Sequence, residues 1–464
     1  MTSLTFYGGI NEVGGNKILL ESSKAKLWFD FGLSFSKMQM FYDEYMCPRK
    51  LSGLNDLIEL GIIPKIKGLY RPDFVKKSGM KVEKPKFDGI FLTHAHMDHS
   101  GNIPLIDWNI PLYLGKTTSL ILEAIEETGS GYETCFFDVK EEFTGLHYKK
   151  VPHFNRKYKT FRTKDKIKVK DVTVSPIHVD HSIPSAYGFI IDDGKRIVYT
   201  GDLRLHGTKP KMSKDFIDKA SSDKVDALVI EGTRVSGEKS LSESEVKDRI
   251  SKYIGESKGL VVANFPPRDM DRFNTFYKAA VENDRKLVIN FKQAYLLKML
   301  EEDDKLDVPK LNDKNILVYV KKMVNGLYQE KEYRLWMREF LSLKNAVSYK
   351  DIDPKDSVFY CDSYSFNELI DLKPVNGSYI YSLCEPFNDA MELDMDRFMN
   401  WIKHFKLKFN TAHASGHCSK EELKEIVNKL KPKKLIPVHT TDAIIFREFS
   451  KNIELVKVGE KVKV

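Results

Sequence analysis

The stretch Phe91-Leu92-Thr93-His94-Ala95-His96-Met97-Asp98-His99-Ser100-Gly101 constrains this chain more than any other. An apolar run leads into three histidines and an aspartate within six residues, His94 to His99. Imidazole and carboxylate are preferred ligands of borderline cations such as zinc, and close spacing lets one loop supply several of them. An H-x-H-x-D-H loop behind a buried strand gives two ligands to one cation and two to its neighbour. A histidine-rich surface turn does not account for this ordered spacing. The loop therefore predicts further ligands elsewhere in the chain.

Candidates follow at later strand ends. Val172 to Ile177 predicts a strand running into His178-Val179-Asp180-His181-Ser182-Ile183-Pro184. Arg196 to Thr200 predicts another, ending in Gly201-Asp202. A carboxylate can bridge two cations ~3.5–4 Å apart, which suits Asp202 as a shared ligand. His178 and His181 compete for one place. Near the C-terminus, Phe409-Asn410-Thr411-Ala412-His413-Ala414-Ser415-Gly416-His417 follows a short strand. A helix with apolar residues at Leu423, Ile426, Val427 and Leu430 comes next, then the strand Leu435 to Val438, ending in His439. Asp30, in Trp28-Phe29-Asp30-Phe31-Gly32, sits at a strand end, where it caps a turn or supports the metal loop.

At 464 residues the chain exceeds what a single core accommodates, so two or more domains are expected. Short strands at 4–9, 17–21 and 26–31 open it, and a long connection over 33–86 contains a helix at 53–60. Another helix is expected over 117–128, followed by a poorly periodic, lysine- and aromatic-rich stretch over 136–170. Strand–helix alternation follows from about Ser221: strands at 227–230, 260–263, 286–289, 316–320 and 357–360, with helices at 269–282 and near 329–341. That pattern predicts a parallel sheet flanked by helices, a separate α/β domain. His439 and His94 can share a site only if the C-terminal residues fold back, which makes the α/β block an insertion. The net charge of +8 favours polyanionic partners. The five cysteines contain no C-x-x-C pair, which argues for a reducing compartment and against a thiolate zinc knuckle. No stretch approaches the ~18 consecutive apolar residues of a membrane span, nor does Met1 to Ile10 read as a leader. A cytoplasmic protein is expected.

The order H-x-H-x-D-H, His-Ser-Ile-Pro, Thr-Gly-Asp, an acidic residue after the next strand, an insertion, Ser-Gly-His and Pro-Val-His resembles the β-CASP nucleases of the metallo-β-lactamase superfamily. Ribonuclease J is the most similar branch, and the likeness covers essentially the whole chain. The resemblance implies an α/β fold, a metallo-β-lactamase αββα sandwich with an inserted β-CASP domain. That places the first domain at 1–215 and 405–464, with the insertion at 216–404. It implies that His94, His96 and His181 hold one zinc and that Asp98, His99 and His439 hold the other, with Asp202 bridging. Mn²⁺ is the alternative metal. Asp30 then supports the metal loop, and His178 is structural. Glu231 matches an acidic residue that orients a histidine, here His417 in Ala-Ser-Gly-His. Asp98, Glu231 and His417 are thus the expected catalytic residues.

The function implied is a zinc-dependent ribonuclease that hydrolyses RNA phosphodiester bonds, as a 5′-exonuclease, an endonuclease or both. Its partner is RNA, with a homodimer left open. A DNA nuclease of the crosslink-repair branch is the rival, but a histidine at 439 favours RNA. A catalytically inactive scaffold is disfavoured because every ligand position is filled. His413 and Ser415, close to His417, are candidates for binding phosphate oxygens or for local loop bonds. Arg268 and Arg272, at an expected helix start, suit a terminal phosphate or are ordinary surface arginines. Three departures from ribonuclease J stand out. Thr440-Thr441 follows His439 where Gly-Glu is common, and Glu231-Gly232-Thr233 stands in place of Asp-Ser-Thr. The additional C-terminal domain of the bacterial enzymes is also missing, so their mode of assembly is not implied.

Overall fold

The computed structural model describes residues 2–43, 45–141, 152–237, 240–384 and 389–464. Part of the poorly periodic stretch, 142–151, lies outside the described residues. The chain divides into two compact units: Met1–Leu205 with Lys209–Lys239 and Gly416–Val464, and His206–Thr208 with Ser240–Ser415.

The first unit is built on two sheets. One has seven strands and runs, in spatial order, Lys461–Lys463, Ser3–Gly8, Lys17–Glu21, Lys26–Phe31, Gly89–Phe91, Leu112–Gly115, Tyr158–Phe161. The other has six: Lys434–Val438, Ala227–Glu231, Arg196–Tyr199, Ala186–Asp192, Val172–Val179, Ile167–Val169. Alternation along each strand sorts side chains between two cores. Ala227 and Val229 point into the core shared with Phe6, Leu20, Phe29 and Phe91 of the first sheet. Leu228 and Ile230 point the other way, against Phe216, Leu423, Ile426 and Val427 of the helices Pro210–Ala220 and Lys420–Leu430. Phe29, Phe91 and Phe189 meet with ring centroids 5.5–5.9 Å apart. Each such buried ring contributes roughly 1.5–3 kcal/mol through its burial.

The strand Ala227–Glu231 corrects the expected boundary. Its apolar run looks like the opening of the α/β block, yet it pairs in parallel with Arg196–Tyr199 and with Lys434–Val438. It therefore belongs to the first unit, and the insertion starts at Ser240 instead of 216 and runs to Ser415 instead of 404.

The second unit contains a seven-stranded sheet in the order Ala346–Val347, Ile316–Tyr319, Lys286–Ile289, Ser357–Tyr360, Val261–Asn264, Ser378–Tyr381, Lys408–Thr411. Every pairing is parallel. Helices Glu243–Glu256, Met270–Glu282, Phe291–Leu300 and Asp389–His404 alternate with the strands. The helix expected near 329–341 is instead a series of short turns, with Leu335–Arg338 the only α-helical one among the described residues. Trp336 and Phe340 of those turns pack on Tyr295, so local burial outweighs continuous periodicity.

Candidate metal centre

The histidines and aspartates named above stand at strand ends of the first unit. His94 to His99 follow Gly89–Phe91, His181 follows Val172–Val179, and Asp202 follows Arg196–Tyr199. Glu231 closes its own strand, and His439 follows Lys434–Val438 with a left-handed backbone, φ 55°. Strand order thus gathers at one site residues separated by up to 345 positions in sequence.

Two donor sets result. His94, His96 and His181 converge so that their ligand atoms all lie within 4.8 Å of one another, and so do Asp98, His99, Asp202 and His439. In the first set, His94 Nε2 and His181 Nε2 stand 3.0 and 3.1 Å from His96 Nδ1. In the second, His439 Nε2 is 3.0 Å from Asp98 Oδ2, and His99 Nε2 is 3.1 Å from Asp202 Oδ2. Asp202 Oδ2 stands between the sets, 3.7 and 3.9 Å from His94 and His181 and 3.6 Å from His439.

The outer nitrogens show which way the lone pairs point. His99 Nδ1 donates to Asp30 Oδ2 at 2.8 Å, His181 Nδ1 to the Gly416 carbonyl at 2.6 Å, and His439 Nδ1 to Thr233 Oγ1 at 2.8 Å. His94 Nδ1 donates to Thr93 Oγ1 at 3.0 Å, and that hydroxyl donates in turn to Asp30. With Nδ1 carrying the proton, each Nε2 presents its lone pair inward, as metal-bound imidazoles do. Burial drives the His94 and His181 imidazoles well below the usual range and keeps them neutral. Burial pulls His99 the same way, but Asp202, Asp30 and Asp98 override it and push it well above. Against the effect of their own burial, His99 and His439 hold Asp98 and Asp202 ionised.

These residues fit a divalent cation. Ligand atoms at ~2.0–2.1 Å around a tetrahedral zinc lie roughly 3.3 Å apart, close to the separations here. Inward lone pairs 3.0–3.1 Å apart repel unless a cation or a proton sits among them. Asp202 Oδ1 is buried without a hydrogen-bond partner among the described residues. An oxygen left so is costly unless a cation takes it up.

His417 belongs to neither of these sets but, with Asp202, Glu231 and His439, forms a third group that overlaps them, its ligand atoms again within 4.8 Å of one another. Its Nδ1 lies 3.1–3.2 Å from both Glu231 oxygens. That carboxylate is itself held by the backbone N–H groups of Leu203 and Thr233, each at 3.2 Å. Burial alone would lower the His417 imidazole, but Glu231, with Asp202 and Asp98 further off, raises it to about 9. Its side chain keeps 20% of its surface exposed, against 0–1% for His94, His99, His181 and His439.

The proposed phosphate-binding residues lie in the second unit. Arg272 corrects the expectation of a phosphate site. Its guanidinium is fully buried, 3.0 Å from Glu243 and also bonded to Ser382 and the Ala412 carbonyl. The start of its helix, Met270–Glu282, is capped by Asp269, which accepts from the Arg272 N–H. Arg268 is half-buried, and desolvation lowers its pKa. His413 Nδ1 reaches the Ser382 carbonyl at 3.3 Å, and the backbone of Ser415 bonds Ser240 and His206. Supporting residues that sequence reading missed are Thr93, Thr233, Tyr199 and Asn16. For Asn16 the signal was available in the glycine pairs Gly8-Gly9 and Gly14-Gly15 that frame its loop.

Residues 71–247 match a family described as a beta-lactamase superfamily domain, and residues 399–447 match one described as a Zn-dependent metallo-hydrolase RNA specificity domain. Ribonuclease J of Helicobacter pylori (strain J99 / ATCC 700824) is 23% identical over 99% of the chain. These matches support a metallo-β-lactamase, ribonuclease J-like relationship for the chain. The chain spans 60% of the length of that H. pylori ribonuclease J. The Mycoplasma genitalium ribonuclease J is 24% identical over 94% of the chain and 68% of its own length. A crystal structure of a protein of unknown function from Enterococcus faecalis V583 superposes with a TM-score of 0.74 at 23% identity, covering 99% of both chains. That likeness extends the shared fold of this ribonuclease J-like chain across both units.

Proposed function

We propose that this protein is a zinc-dependent ribonuclease, with Mn²⁺ as the alternative metal, that cleaves RNA from the 5′ end, internally or in both ways. The observation that carries the reading is the pair of donor sets sharing Asp202 Oδ2, next to His417, which is backed by the Glu231 carboxylate. His94, His96 and His181 would hold one cation and Asp98, His99 and His439 the other, with Asp202 common to both. Bound divalent cations lower the pKa of water toward neutrality and offset charge gathering on phosphoryl oxygens. His417 supplies the proton for the departing oxygen. Glu231 takes its Nδ1–H, so Nε2 faces outward with the transferable proton. Glu231 beside it raises the His417 pKa to about 9 and so keeps the imidazole protonated, ready to donate.

The substrate reading rests on the ribonuclease J relatives, on the RNA specificity match at 399–447 and on the net charge of +8. A cytoplasmic setting is supported by five free thiols. No helix among the described residues is long and apolar enough to cross a membrane. The test is an incubation of the protein with 5′- and 3′-labelled RNA and matched DNA, with and without zinc or manganese. Metal-dependent cleavage of RNA supports the proposal, and the label that is released separates end attack from internal cutting. Cleavage of DNA alone, or no cleavage under any metal, defeats it.

A further inference from the structure

The loop between the strands Ser3–Gly8 and Lys17–Glu21 carries no metal-ligand candidate, yet it touches two of the three residues particular to one donor set and is linked to the third through side chains. The Asn16 N–H donates to the Asp98 carbonyl at 3.1 Å. Gly14, at φ +80°, packs so closely that a Cβ there would lie 2.7 Å from Asp98 Cβ and 2.9 Å from Oδ2. The Gly9 carbonyl accepts the His439 N–H at 2.7 Å, which helps to hold that residue in its left-handed conformation. His99 is reached through side chains. Asn16 Nδ2 donates to Tyr199 Oη at 3.3 Å, Tyr199 Oη donates to Asp30 Oδ2 at 2.7 Å, and the same oxygen accepts His99 Nδ1 at 2.8 Å.

The loop is itself rigidly braced. Glu12, 4% exposed, accepts from the Gly9 N–H at 3.1 Å, from Ser36 Oγ at 3.2 Å and from Ser34 Oγ. Ile10 and Glu12 both form bridges with Thr440, the residue after His439. The other set is held differently. His94 and His181 donate their outer bonds to Thr93 and the Gly416 carbonyl; among the described residues the loop makes no direct bond to either, and its side-chain relay meets His94 only beyond Asp30, through Thr93.

The geometry points to residues 9–16, with Asn16 at the centre, as a positioning device chiefly for the Asp98, His99 and His439 set, setting the affinity of one of the two cations more than that of the other. This rests on the two-cation reading above. Partners that orient metal ligands from outside typically contribute ~10–100-fold to metal affinity, and here those contributions fall chiefly on one side of Asp202.

The experiment titrates Co²⁺ into the metal-free full chain, with its visible absorption counting bound equivalents and reporting their coordination. Asp98→Ala identifies which equivalent belongs to the second set. Asn16→Ala is expected to weaken that equivalent ~10–100-fold and to change its spectrum, with a much smaller effect on the other. In the Asp98→Ala background, Asn16→Ala should add little. Gly416→Ala should do the converse, because its Cβ would lie 2.9 Å from His181 Cε1. Tyr199→Phe keeps the buried ring and removes only the hydroxyl, so it guards against a folding failure at Asn16, and it should weaken the same equivalent. The inference is overturned if Asn16→Ala and Tyr199→Phe leave both equivalents alone or weaken both alike. Fewer than two equivalents in the unaltered protein would defeat the two-cation reading first and take the inference with it.

Discussion

Lys17→Met should make the protein more stable, and by an amount that depends on pH. The Lys17 side chain is 1% exposed, with Nζ 3.1 Å from the Gly15 carbonyl and 5.8 Å from the Phe31 ring centroid. Burial lowers its pKa from the ordinary lysine range to about 7, with Glu12 opposing the shift and Lys37 adding to it. The folded chain thus disfavours the ammonium form. Between about pH 7 and the unfolded lysine value near ~10.4, the unfolded chain binds the extra proton, so stability from this residue rises with pH. Below pH 7 the full penalty is present. One proton corresponds to about 1.4 kcal/mol per pH unit, so the wild type gains roughly 2.7 kcal/mol between pH 7 and pH 9. Methionine has the same reach and no charge, so the variant lacks that gain. Loss of the bond to Gly15 costs it a constant ~1 kcal/mol. Unfolding of both proteins, followed by tryptophan fluorescence with EDTA throughout, measures the difference between them. That difference should favour Lys17→Met below pH 7 and shrink toward pH 9. Parallel stability curves over that range would refute the argument.

Asp98→Ala should abolish cleavage and remove one metal equivalent by elemental analysis, while circular dichroism stays close to that of the wild type. His417→Ala should lower turnover by roughly 10²–10⁴-fold with metal content intact, the scale of general acid catalysis. On a 5′-bridging phosphorothiolate substrate, whose sulfur leaves without much protonation, that defect should shrink, and an undiminished one removes His417 as the acid. Arg272→Ala strands the buried Glu243 carboxylate and should destabilise the second unit by about 3–5 kcal/mol in denaturant unfolding.

Legibility in the sequence followed the distance over which each residue acts. Ligand candidates at strand ends could be read because a short apolar run and a histidine or aspartate sit side by side. His94, Asp202 and His439 were accessible in this way. Pairing partners are not written locally. The strand Ala227–Glu231 has the composition of a buried parallel strand in either unit, and only its register with Lys434–Val438 assigns it to the first. Arg272 shows the same limit from the other side. Its position near a helix start suggested an anion site, but Glu243 and Ser382, which neutralise and bury it, are 29 and 110 residues away. Tyr199 carried no local signal for a related reason, and the glycine pairs around Asn16 marked its loop but not its partner. A tyrosine in a strand and an asparagine in a glycine-rich turn are ordinary until the fold places them 3.3 Å apart behind a ligand.

The second donor set closes with His439, on a strand that follows the whole α/β unit in the chain. During synthesis on the ribosome, the nascent polypeptide therefore carries an unfinished centre until that final edge strand pairs with Ala227–Glu231. On the two-cation reading proposed above, docking of this strand and capture of the second cation become one thermodynamic event, so each promotes the other. A chelator then acts as more than an inhibitor: it loosens the closing edge of the sheet, and cleavage competence arrives only with a completed, metal-loaded fold.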